Sequence, residues 1–135
     1  MSNASRAFRY LAIVSALLFF ALAAIWLFAP ATLLANWGVV FDGGTAGLVG
    51  RRAAPLYVGI GVALLLARNA PPSPGRTAVV AGFVTTCLLL ALLGLGEWAV
   101  GHVESGILPA VLVEVALGLA FWFVVGAEGG AKAQR

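Results

Sequence analysis

Residues 10–29 form an apolar run that contains no charged side chain. A helical stretch of about 20 apolar residues is long enough to cross the roughly 30 Å hydrocarbon core of a bilayer. Arg6 and Arg9 precede the run and Pro30 ends it, so the run is predicted to be a first membrane span. A cleaved signal peptide is the alternative, since small alanines lie near the end of the run, but the apolar core of such a peptide usually covers only about 7–15 residues.

The composition extends this prediction to the whole chain. Of the 135 residues, 62% are hydrophobic and 10% are charged, whereas a soluble domain is about half apolar and a quarter charged. A chain this short has too little interior to bury the excess, so lipid must cover it. The formal net charge of +3 comes from Lys and Arg scattered at the ends of the apolar segments, not from a basic stripe. We therefore expect the lipid bilayer as a partner and no nucleic acid.

The predicted fold class is all-α, an integral membrane antiparallel four-helix bundle in a single transmembrane domain over residues 1–135. The spans are predicted at about residues 9–29, 47–68, 77–100 and 107–126. The second span is long enough only if it begins near Ala46. Residues 30–46 are predicted to be an interfacial loop, with a short helix closed by Gly38. Gly59 and Ala63, four residues apart, are predicted to let helices approach closely.

The distribution of positive charge predicts the orientation. With the N-terminus inside, six of the eight Lys and Arg are cytoplasmic, and only Arg51 and Arg52 lie on the far side. Trp26, Trp37 and Trp98 then gather at the outer interface, as in an aromatic belt. The predicted location is a bacterial inner (cytoplasmic) membrane, with multiple spans and both termini in the cytoplasm. The loop over residues 30–46 would lie at the outer mouth of the bundle and could act as a lid.

Glu114 is the most informative polar residue, because it lies inside the fourth predicted span. The rise of the helix places it about 12 Å beneath the outer boundary, where acids normally face a partner or a cavity. Arg51 and Arg52 are the cations within vertical reach, and Glu97 lies near the outer end of the third span. We predict a ligand-binding polar cluster of Arg51, Arg52, Glu97 and Glu114, with Tyr57 one or two turns below.

Three interpretations of this cluster remain open. A buried Arg–Glu pair often only fixes helix packing. The spare positive charge also suits an anionic headgroup or a substrate oxygen, and intramembrane acids can move ions or protons. The leading expectation is a module that binds a lipid-like or quinone-like ligand, or an accessory subunit of a membrane complex. The alternative is a small oligomeric transporter or channel, although the inner halves of the spans offer few polar residues for a continuous path.

The sequence lacks the residues that several common kinds of site require. The chain has no phosphate-loop or dinucleotide motif and no metalloprotease motif. Cys87 and His102 are its single Cys and its single His, too few for a tetrahedral zinc site within one chain. We therefore expect no metal, no cofactor and no catalytic residues, and an enzyme is disfavoured. A homo-oligomer or a membrane-protein partner remains open.

Residues 50–61, GRRAAPLYVGIG, and their continuation to Arg68 resemble the second-helix signature of the DoxX-like group of small four-span bacterial membrane proteins. An Arg followed by a glycine-rich helix is typical of that group. The resemblance implies an antiparallel four-helix membrane bundle in which Arg51 or Arg52 is the family-type arginine. The doubled arginine and the long first loop depart from the pattern.

Cysteine-reactive labelling of intact cells tests the predicted orientation. A Cys introduced at Gly44 or at His102 should react from outside, because both positions lie in predicted outer connections. A Cys at Ser73 or at Lys132 should be protected. The opposite labelling pattern would overturn the charge-based orientation.

Overall fold

The computed structural model describes the backbone of residues 3–133 and the side chains of residues 5–126. The described chain is all-α. Its elements are α1 (Asn3–Phe28), α2 (Pro30–Asn36), α3 (Thr45–Ala67), α4 (Pro74–Ala99), a 3-10 turn (Ser105–Ile107) and α5 (Leu108–Ala133). Helices α1, α3, α4 and α5 are long and apolar enough to cross a membrane, so the prediction of an all-α, multi-pass membrane protein is confirmed.

Glycine, proline and serine set two of the helix ends. Ser73 precedes α4, and its Oγ accepts a hydrogen bond from the backbone N of Arg76 at 3.3 Å, as expected for an N-cap. Gly38 ends α2 with a φ of +72°. The backbone N of Val39 donates to the carbonyl of Leu34 at 2.8 Å, which is the long hydrogen bond of a Schellman motif. The predicted short helix closed by Gly38 is therefore present.

The four long helices form two closely packed pairs. Helix α1 packs mainly against α3, and α4 packs mainly against α5, while α1 and α5 join the pairs and α3 meets α4 less extensively. Phe8, near the start of α1, packs edge-on against Phe121 in the later part of α5, with ring centroids 5.9 Å apart. These two helices are therefore antiparallel. The ring of Phe83 from α4 lies 4.9 Å from that of Phe121 and completes an aromatic core.

The pairing of α1 with α3 depends on two glycines in α3. A Cβ atom on Gly50 would lie 2.6 Å from the ring of Trp26, and one on Gly61 would lie 2.6 Å from the ring of Phe20. Both distances are too short for any larger residue without movement of the aromatic ring. The predicted close approach at Gly59 is wrong for the described residues, because nothing lies within 4 Å of a Cβ at that position.

The end of α2 is joined to the connection between α4 and α5. The backbone N of Glu104 donates to the carbonyl of Trp37 at 2.8 Å, and the side-chain amide of Asn36 donates to the carbonyl of Gly106 at 3.0 Å. Gly106 has no room for a Cβ, because the carbonyl of Asn36 already fills that space. These elements share one end of the bundle, which we call the α2 end.

Two glycines of α3, two positions apart, provide a matched test of this packing. Gly61→Ala should lower the stability by about 1–3 kcal/mol, because the new methyl group must displace the ring of Phe20. Gly59→Ala should leave stability unchanged or raise it slightly, since the methyl group meets open space and alanine favours the helix. Thermal unfolding in mild detergent compares the two variants. Equal effects would contradict the packing of α1 on α3 described here.

Candidate functional site

Two adjoining cavities lie between the helices near the α2 end. Their volumes are about 260 and 270 Å³. We call them jointly the α2-end cavity. The two cavities share part of their lining. Every membrane-spanning helix and the residue that follows α2 contribute to this shared part, which consists of Trp26, Trp37, Tyr57, Leu90, Ala110 and Glu114.

Helical spacing brings the lining residues of α5 and α4 onto one side of each helix. On α5, Ala110 and Glu114 are four residues apart and therefore lie on the same face, one turn above the other. On α4, Leu90 and Glu97 are seven residues apart, which is close to two full turns. The same rule places Gly94 between them. Two packed helices therefore present one carboxylate each toward the cavity, Glu114 on α5 and Glu97 on α4.

Aromatic rings form much of the cavity wall. The rings of Trp26 and Trp37 meet with centroids 5.8 Å apart at an angle of 61°, and the ring of Tyr57 packs on Phe19 at 5.7 Å. Gly50 lets Trp26 lie directly against α3. The hydrogen bond from Glu104 to the carbonyl of Trp37 holds the other indole near the α2 end. The wall is thus fixed by backbone contacts as well as by ring packing.

The structure corrects the predicted pairing of Arg51 and Arg52 with Glu114. Both arginines are exposed, and within the described residues neither forms an ion pair with an acid. The buried face of α3 is occupied by small residues, including Gly50 and Ala54. Successive residues of an α-helix are rotated by about 100° about the helix axis. The two residues after Gly50 therefore do not lie on the buried face. Helix rise predicts the height of a residue in the membrane, but it does not predict the direction in which its side chain points.

Among the described residues, Glu114 therefore reaches the cavity without a cationic neighbour. Its side chain is half-buried and, among the described residues, forms no hydrogen bond and no ion pair. Glu97 differs, because its Oε2 lies 2.7 Å from Nδ1 of His102. The structure thus brings three of the predicted site residues, Tyr57, Glu97 and Glu114, to one cavity and leaves the two arginines outside it.

The sequence analysis missed the role of the two tryptophans in the site. The sequence analysis assigned Trp26, Trp37 and Trp98 to an interfacial belt, whereas the structure packs the rings of Trp26 and Trp37 together beside the cavity. The signal that could have identified them is the pair Gly38 and Gly50. One glycine permits the turn after α2, and the other permits a large ring to lie on α3. Neither requirement is visible in the hydropathy pattern.

Comparison of the chain with protein-family models, with curated proteins and with solved structures finds no match. The resemblance of residues 50–68 to the DoxX-like group therefore stays a prediction from the sequence. The residues around the cavity carry the functional inference, and Glu114 is central to it because its carboxylate forms no hydrogen bond or ion pair with the part of the chain that the structure describes.

Substitution of the charged residues distinguishes an isolated carboxylate from a buried ion pair. Glu114→Gln should not cause the loss of about 3–5 kcal/mol that follows the breaking of a buried ion pair, because no described cation loses its counter-charge. Arg52→Gln should have a small effect, and the double variant should be additive. Thermal unfolding in detergent measures all three, with Arg51→Gln in parallel. A large loss in one single variant that the double variant recovers would show that the pair exists.

Proposed function

We propose that this chain is a membrane module that binds a lipid-like molecule in the α2-end cavity. The observation that carries the proposal is Glu114, a carboxylate in a membrane-spanning helix that faces a cavity without an ion pair from the described chain. An acid in such a place is costly unless something neutralises or solvates it. A ligand whose polar group meets Glu114 supplies that interaction.

The lining of the cavity supports an amphipathic ligand. Small-molecule sites are mostly apolar, with a few polar groups that fix the orientation of the ligand, and commonly measure about 300–1,000 Å³. Two adjoining cavities of about 260 and 270 Å³ reach this range together. Leu18 and Leu22 of α1 and the exposed Val113 of α5 also line the first cavity. An apolar chain can therefore extend between α1 and α5 toward the bilayer.

A quinone-like molecule is a second form of the same proposal. The hydroxyl of Tyr57 can donate a hydrogen bond to a quinone carbonyl, and the indole rings can stack on its ring. In a larger assembly, such a module would be an accessory subunit that holds the lipid-soluble ligand for its partner. Its location would be a bacterial inner membrane, with the α2 end on the outer side.

The alternative of a small transporter or channel has less support. Glu97 and Glu114 line the cavity at the α2 end, while Phe8, Phe83 and Phe121 fill the interior between α1, α4 and α5 on the other side of the described bundle. A conduction path needs polar groups or water along its length. Passage through a single copy would therefore require this aromatic core to open.

Filling the cavity tests the proposal. Ala110 lines both parts of the cavity, and Ala110→Trp should fill most of the space without adding charge. Native mass spectrometry of the unmodified protein released from mild detergent should show a bound small molecule, and Ala110→Trp should lose most of it.

Ala116→Trp is the matched control, because residue 116 is exposed on the same helix and lines neither part of the cavity. This variant should retain the bound molecule. Equal retention by both variants would place the molecule elsewhere on the bundle. An unmodified protein free of any bound molecule, and still free after incubation with short-chain quinone or lipid, would remove the proposal.

A further inference from the structure

We propose that the ligand of the α2-end cavity carries a cationic head group, an amine or a quaternary ammonium, held between Glu114 and the aromatic wall of the cavity. This inference rests on the proposed function and narrows it. It concerns the sign of the charge that the site accepts, which neither the size nor the apolar character of the cavity determines.

Among the described residues, the charged side chains that line the cavity are all acidic. The part of the lining that the structure describes includes two carboxylates, Glu97 and Glu114, and no Lys, Arg or His. Glu97 already lies 2.7 Å from Nδ1 of His102 at the edge of the site. The arginines Arg51 and Arg52 are exposed on α3 and are not part of the lining. Within the described chain, the charge complement of Glu114 must therefore come from outside the protein.

The aromatic side chains of the cavity also attract a cation. The face of an aromatic ring is electronegative and attracts cations within about 6 Å, most strongly for Trp. Trp26, Trp37 and Tyr57 all line both parts of the cavity together with Glu114. The two indole rings are tilted by 61° and do not stack face to face. Such an edge-to-face contact covers one face of one ring, so a cation that meets the carboxylate can also meet an uncovered ring face.

The chemistry separates a cationic ligand from the other two charge classes. An anionic headgroup would be repelled by Glu114 without an arginine to compensate. A neutral quinone would stack on the rings, but it would leave the charge of Glu114 unbalanced unless the carboxyl group held a proton. An ammonium group satisfies the carboxylate and the rings together, and an attached alkyl chain would follow the apolar lining between α1 and α5.

Fluorescence quenching of the cavity tryptophans tests this inference. Trp98 and Trp122 are exposed and line neither part of the cavity, so Trp98→Phe with Trp122→Phe leaves Trp26 and Trp37 as reporters. The probes are two brominated dodecyl chains, one with a trimethylammonium head group and one with a hydroxyl head group. Both are added to the protein in uncharged maltoside detergent, which avoids competition from lipid ammonium groups.

The ammonium probe should quench saturably, with half-saturation at a concentration about tenfold or more below that of the alcohol. Glu114→Gln should remove most of this difference. Asp42→Asn is the control, because Asp42 is exposed outside the cavity and the variant loses the same charge. It should behave like the parent protein.

Two further variants keep the test decisive if Glu114→Gln does not fold. Glu114→Asp keeps the charge and should keep the preference for the ammonium probe. Trp37→Leu, measured through the fluorescence of Trp26, should lower the affinity for the ammonium probe much more than the affinity for the alcohol probe. Equal affinity of the parent protein for both probes would overturn the cationic head group and leave the proposed function standing. Absence of saturable quenching by either probe would overturn both.

Discussion

Hydrocarbon offers no hydrogen-bond partner to the backbone, and the rest of this structure depends on that constraint. Each spanning segment must satisfy its own N–H and C=O groups and is therefore helical. The irregular backbone that remains between α2 and α3 and between α4 and α5 has to find partners at an end of the bundle. Trp37 and Glu104 pair their backbone groups there, and this contact holds an indole ring beside the cavity.

The cavity is a consequence of how tightly the other parts pack. Gly50 and Gly61 bring α1 against α3 until an aromatic ring of α1 touches the α3 backbone at each site. Phe83 and Phe121 fill the interior between α1, α4 and α5. Near the α2 end, residues as small as Ala110 face Trp26 and Tyr57 across the space that remains. A pocket rich in rings and poor in polar groups results.

The sequence predicted the helices well because their signals are local. Apolar runs of sufficient length and Gly38 after a short helix each indicate a helix or its end from a few neighbouring residues, whereas α4 begins at Pro74, three residues before the predicted start near residue 77. The placement of Glu114 toward the α2 end of α5 also followed from its position in the predicted span. The direction in which the Arg51 and Arg52 side chains point did not follow from the sequence, because it depends on which side of α3 meets α1. That choice is made by glycines whose neighbours are distant in sequence.

The central claim is that Glu114 meets a ligand in the α2-end cavity and not an arginine of its own chain. A crystal structure of the protein grown from a lipidic mesophase tests this most directly. The account predicts elongated non-protein density that begins beside the carboxylate of Glu114 and continues between α1 and α5. A guanidinium of Arg51 or Arg52 within hydrogen-bond distance of that carboxylate, in a cavity closed by side chains, would contradict it.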